Sequence, residues 1–132
     1  MTLLIDADWL IYSSCCACEQ DIQWDSNLHT LHADERDVHE MVDGRVAHYQ
    51  TIAEGDKNVV MCFTEYPTFR HTIYPEYKAN RKHKRKPLGL SRIIEETKHR
   101  YLSESYPGLE GDDVMSILAT SKKYENPIIV SV

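Results

Sequence analysis

No stretch of this chain holds the ~20 apolar residues that a membrane-spanning helix needs, so a helical span is excluded. The opening residues, MTLLIDADWLIY, carry no basic segment ahead of the apolar ones and are broken by Asp6 and Asp8. They do not read as a secretory leader, so the expected location is the cytoplasm. Cysteine is scarce, limited to Cys15, Cys16, Cys18 and Cys62. The spacing CC-A-C lacks the paired C-x-x-C pattern of common zinc modules. A zinc site built with His29 and His32 therefore stands behind the plainer reading of reduced, buried thiols. Repeats and low-complexity linkers are absent, and 132 residues amount to one domain.

What is present is charge, unevenly spread. The chain has 21 Asp and Glu against 15 Lys and Arg, a net charge of -6. Yet six of those 15 cations fall between Lys78 and Lys86, in YPEYKANRKHKRKPLGL. A basic run is often only a solvated face. In an acidic protein, its concentration in one place also suits a polyanion such as a phosphate backbone.

Periodicity supplies the frame. TLLID (2–6), NVVMCFT (58–64) and NPIIVSV (126–132) read as three buried strands. Trp9 to about Cys18 suits a buried helix, and residues 21–33 suit a loop or weak hairpin. Val38, Met41, Val42, Val46, Tyr49, Ile52 and Ala53 recur at helical spacing, with Asp34 as N-cap and Gly55 as the stop. Leu90, Ile93, Ile94, Thr97 and Tyr101 mark a second such helix. A third is expected after the GDD turn, with Val114, Ile117 and Leu118 inward. Strands alternating with helices predict an α/β domain around a mostly parallel central sheet with flanking helices.

In such a sheet, ligands bind at the edge formed by the carboxyl ends of the strands. Asp6 and Asp8 fall there, as do Glu65 and the trio Glu110, Asp112 and Asp113. Carboxylates gathered at one edge repel one another unless a cation neutralises them. Hard oxygen donors suit Mg²⁺ or Mn²⁺, and two such ions can drive phosphodiester hydrolysis. Each acid taken alone has a plainer reading, helix capping or solvation. Asp6, Asp8 and Glu65 also admit comparison with a phosphoacceptor receiver pocket, although the acceptor position would then be Glu.

LLIDADWLIY, CFTEYPTFR, YPEYKANRK, LEGDDV and IIVSV together resemble the flap endonuclease and 5′–3′ exonuclease family, and within it the exonucleases of bacteriophages. The resemblance runs over residues 1–132, with 19–57 adding little beyond length. It implies a PIN-like N-terminal nuclease domain, a basic arch-like segment at about 75–92, and DNA 5′ ends or flaps as substrate, with RNA–DNA hybrids a further option. It implies that Asp6, Glu65, Glu110, Asp112 and Asp113 hold two Mg²⁺ or Mn²⁺ ions. Lys78 and Arg81 would act on the scissile phosphate. Arg70, Tyr77, Lys82, Lys84, Arg85 and Lys86 would contact the nucleic acid, Tyr77 by stacking.

Two departures qualify it. The family usually has Asp where this chain has Glu65, and its pattern continues past IIVSV into a D-x-D motif. The sequence is thus expected to be the N-terminal half of such a nuclease, active alone, completed by a second polypeptide, or binding DNA without cutting it. A phage origin would place it in the host cytoplasm.

Overall fold

The computed structural model of the chain describes residues 1–53, 58–78 and 85–131. Its centre is strand β1 (Thr2–Asp6), whose first four side chains are all buried. β1 pairs in parallel with β4 (Asn58–Cys62) on one side and with β6 (Pro127–Val130) on the other. Burial on both faces is why TLLID is a continuous apolar run with no alternation. A two-residue strand, β5 (Ser103–Glu104), joins β4 and completes a four-stranded parallel sheet of order β5-β4-β1-β6.

Three strands were expected in this sheet, and among the described residues it has four. β5 is too short to carry a pattern of its own. β6, expected to be buried, forms an edge of the described sheet, and Ile129 is half-exposed.

Helices cover both faces. Leu3 and Ile5 pack with Leu10 and Ile11 of α1 (Ala7–Cys18), Val38, Val42 and Val46 of α2 (Glu35–Ile52), and Ile93 of α4 (Leu90–Arg100). Leu4, Val60 and Cys62 point the other way, onto Val114, Met115 and Leu118 of α5 (Gly111–Thr120). The alternation of Leu3, Leu4 and Ile5 between two cores follows from the two-residue period of a strand.

The α2 N-cap is as expected, Asp34 Oδ1 accepting from the Arg36 N–H at 2.9 Å. The helix ends at Ile52, which is exposed and not part of the inward stripe, while Gly55 lies outside the described residues. In α5, Met115 takes the inward place expected for Ile117, which is exposed. A stripe through 111, 114, 115 and 118 is the i, i+3, i+4, i+7 face.

Residues 20–32 form the hairpin anticipated as weak. β2 (Gln20–Gln23) and β3 (His29–His32) pair antiparallel, apart from the main sheet. A short helix, α3 (Phe69–Ile73), precedes the basic segment. Cys15 and Cys62 are buried, and burial pushes their thiols up to about 11 and about 12 respectively. Cys16 is exposed, against the expectation of buried thiols throughout.

Among the described residues, Thr97 Oγ1 on α4 is the buried side-chain polar atom without a hydrogen-bond partner. An unsatisfied buried hydroxyl costs about 1–3 kcal/mol, and Val has nearly the same shape. Thr97→Val is expected to raise the thermal midpoint by a few degrees in a melt followed by circular dichroism. A lower midpoint would show that the hydroxyl is satisfied.

Candidate active site

The chain leaves β1 and enters α1 without a loop, because Asp6 is both the last strand residue and the helix N-cap. Its Oδ1 accepts from the Trp9 N–H at 3.5 Å. That double duty fixes Asp6 at the carboxyl edge of the sheet and puts Asp8 in the first turn of α1. β4 ends beside β1 in register, Asp6 opposite Cys62, and delivers Thr64 and Glu65 to the same edge. Glu110 and Asp112 arrive on the turn that opens α5.

One hydrogen-bonded chain stitches these three segments together. Asp8 Oδ2 accepts from the Thr64 N–H at 2.7 Å, and Thr64 Oγ1 accepts from the Gly111 N–H at 2.9 Å. Asp8 was noticed in the sequence for its place after the strand and for comparison with a receiver-type pocket alongside Asp6 and Glu65, not for this bond. Thr64 and Gly111 were not singled out, because nothing local marks a bond spanning 47 residues.

A cleft of about 900 Å³ opens over this edge. Its floor is acidic, with Asp6, Asp8, Glu65, Glu110 and Asp112. Lys78 and Tyr66 also line it, as do Leu90, Ile94 and Lys98 of α4. Burial raises the Asp6 carboxyl above its usual value, and the charges of Asp112 and Asp8 add to the rise. Asp8 is likewise pushed up by burial, against the opposing pull of its Thr64 hydrogen bonds and of Lys98.

Gly111 marks where these carboxylates converge. A Cβ there would lie 3.5 Å from Asp8 Oδ2, 3.6 Å from Asp6 Oδ1 and 3.4 Å from the Cys62 carbonyl. Glycine leaves that space open.

Lys78 reaches the cleft from a left-handed backbone conformation, φ +54°, which a non-glycine residue rarely adopts. Its Nζ is 3.5 Å from Glu110 Oε1 and 5.1 Å from the centre of the Tyr77 ring. Tyr77 in turn meets the His71 ring edge-on at 5.4 Å. Lys86 lines the cleft as well.

Other expected site residues are placed differently. Asp113 is gripped by both guanidinium nitrogens of Arg70, at 2.7 and 3.0 Å, and also accepts from the Glu110 N–H at 3.1 Å. That grip, above all, holds its carboxyl below the usual range. Arg70, expected on nucleic acid, is thereby engaged within the protein, 3.7 Å from Glu110 as well. Arg85 forks onto Glu19 at the end of α1, both bonds at 2.8 Å, and Glu19 also accepts from the Leu88 N–H at 2.7 Å. These contacts hold the Glu19 carboxyl down at about 2. Glu65 accepts a long bond from Ser105 Oγ at 3.4 Å. Arg81, Lys82 and Lys84 lie outside the described residues.

Residues 1–132 match the family model of the 5′-3′ exonuclease N-terminal resolvase-like domain. The chain belongs to this family. It is 31% identical over 126 residues to the exodeoxyribonuclease of Enterobacteria phage T3, and 31% identical over 126 residues to the exonuclease of Escherichia phage T7. Each alignment takes in 90% of this chain and 41% of the relative, so the chain spans about two fifths of their length. No solved structure gives a significant match.

Exonuclease domains of this kind are normally metal-dependent, and the donors here are of the right kind. All are hard carboxylate oxygens, they face one cleft, and in two of them, Asp6 and Asp8, burial raises the carboxyl above its usual value. Gly111 keeps the space between Asp6 and Asp8 clear of a side chain. Among the described residues, no three His, Cys, Asp or Glu side chains form a group that could hold an ion. The carboxylates share a cleft, and an ion would have to draw them together. No helix among the described residues is long and apolar enough to cross a membrane.

Proposed function

We propose that this chain is the nuclease domain of a 5′–3′ exonuclease, hydrolysing DNA phosphodiester bonds with the help of Mg²⁺ or Mn²⁺, two ions in the complete enzyme. The observation that carries this reading is the meeting of two opposite charge sets in one cleft. Carboxylates from the ends of β1 and β4 and the start of α5 form its floor, and Lys78 enters from the basic segment beside them.

When bound, a divalent cation lowers the pKa of an attacking water and offsets charge on the phosphate. Asp6, Glu110 and Asp112 are the first candidates to hold it, with Asp8 and Glu65 beside them. Asp113, turned to Arg70, would serve by fixing Glu110. Lys78 would neutralise charge growing on the scissile phosphate. In substrate, the phosphate takes over from Glu110 as the partner of Lys78. Tyr77 offers a face on which a base can stack without sequence preference. Arg81, Lys82, Lys84 and Lys86 would steer the 5′ end, and their contacts would make binding salt-dependent.

The test is cleavage of a blunt duplex, a 5′-flap DNA and an RNA–DNA hybrid with Mg²⁺, Mn²⁺ or EDTA. Metal-dependent release of 5′ products is expected, abolished in Asp112→Asn. Lys78→Ala is expected to slow turnover about 10²–10³-fold with the fold intact. Cleavage that persists in Asp112→Asn would overturn the assignment of the floor. DNA binding without turnover in the wild type would favour a second reading, which the lack of a ready-made three-donor group supports. The chain would then bind DNA, with the rest of the catalytic set supplied by further chain or a second polypeptide.

A further inference from the structure

Lys98 has no part in the scheme above, yet it stands in the same cleft. It sits in the last turn of α4 and lines the cleft. Its Nζ lies 5.2 Å from the centre of the ring of Phe63, a buried residue that follows β4 directly. A lysine that only covers apolar surface keeps its ammonium in open water. This one lines the cleft that Asp6, Asp8, Glu110 and Asp112 also line.

Its ion pair does not account for that placement. Glu95 Oε1 is 3.5 Å away, and the Glu95 side chain is 68% exposed, a long contact of the class worth little. The Lys98 side chain is itself 37% exposed, so an incoming anion can reach it.

We propose that Lys98 is a phosphate-binding residue of this cleft, contacting a backbone phosphate of the substrate strand from α4 while Lys78 contacts the strand from the segment after α3. The proposal rests on the nucleic-acid reading above and extends it to a second element. It assigns α4 a direct share in gripping the strand, beyond its role as cover for the sheet. The Phe63 ring, 5.2 Å from the Lys98 ammonium, gives the side chain an apolar and aromatic face to lie against.

The test is equilibrium binding of a short single-stranded DNA oligonucleotide in EDTA, by fluorescence anisotropy over a range of salt. Each phosphate neutralised contributes ~0.7 to the slope of log affinity against log salt for single strands. Lys98→Met, which keeps the stem over Phe63, is expected to reduce the slope by about 0.7 and weaken binding several-fold at low salt. Lys98→Arg keeps the slope, and Lys98→Gln repeats the loss with a different neutral side chain. The thermal midpoint is read in parallel. An unchanged slope in Lys98→Met and Lys98→Gln, with wild-type binding intact, would overturn the role of Lys98 alone. Failure of the wild-type chain to bind DNA at all would overturn the nucleic-acid reading with it.

Discussion

Replacing Asp6 with Asn is expected to end metal-dependent cleavage while raising the thermal midpoint of the metal-free chain. The two effects have one cause. Asp6 is partly buried and faces Asp8 and Asp112, so its carboxyl is raised above the ordinary value, first by burial and then by those neighbours. A carboxyl whose folded pKa is raised favours folding only while it is protonated. That contribution is complete below the ordinary carboxylate pKa and is lost as the pH climbs through the raised folded value. At neutral pH the ionised Asp6 is therefore a liability to the metal-free fold.

Asn removes the charge and keeps the shape. It caps a helix about as well as Asp, so the bond from the Trp9 N–H survives the change. The gain should appear as a midpoint a few degrees higher in EDTA near neutral pH, shrinking toward nothing as the pH falls below the carboxylate range. Divalent cations reverse the order. An ion that binds only the folded wild type stabilises it by about 2.7 kcal/mol at a hundredfold excess over its Kd. The Asn variant, short of one ligand, gains little from the same ion. Cleavage is expected to fall on the order of 10³-fold or more. Thermal melts with and without Mg²⁺, run beside the cleavage assay, read all of this. A variant that melts below wild type in EDTA, or that still cuts, would show that Asp6 is a capping residue and nothing more.

How far this site was legible in the sequence depends on the range of the interaction that builds it. β1, β4, β6 and α2 announce themselves because strand burial, helical spacing and the Asp34 cap are written within a few neighbouring residues. The convergence of Asp6, Glu65, Glu110 and Asp112 on one cleft follows from a topological rule about parallel sheets, which needs only the strand order. Pairings that reach across the chain are another matter. Arg70 and Asp113 are 43 residues apart and Arg85 and Glu19 are 66 apart. No spacing shows that these arginines pair with those carboxylates. For Lys98, periodicity places it one position beyond the inward Thr97. Only the packing of α4 over Phe63 shows that it overlooks the cleft. β5 escaped notice for a different reason, since two residues are too few to show a period.

Arg70→Met is expected to cost activity far more than it costs DNA binding. Both nitrogens of the guanidinium hold both oxygens of Asp113, while Asp113 Oδ2 also receives the Glu110 N–H. A planar fork of this kind sets orientation as well as distance, which a lysine ammonium does not. Through it, α3 fixes the first turn of α5 and with it Glu110 and Asp112. Methionine fills the space, leaves Asp113 without its counter-charge, and frees the turn to shift. A displacement of about 1 Å in a catalytic group can cost about 10²-fold in kcat, and a loss of that size is expected here, with KM for DNA little changed. If Arg70 instead contacted the nucleic acid, KM and the salt slope of binding would move and kcat would not. Stability supplies an independent readout. Because Arg70 holds the Asp113 carboxyl below its ordinary range, this pair contributes fully at neutral pH and loses its contribution as the pH falls through the depressed folded pKa. The midpoint difference between wild type and Arg70→Met should thus be largest near neutrality and close toward zero in acid, opposite in sign to the difference expected for Asp6→Asn. Equal midpoints at neutral pH would show that the fork carries no structural load, and Arg70 would return to the list of residues facing the substrate.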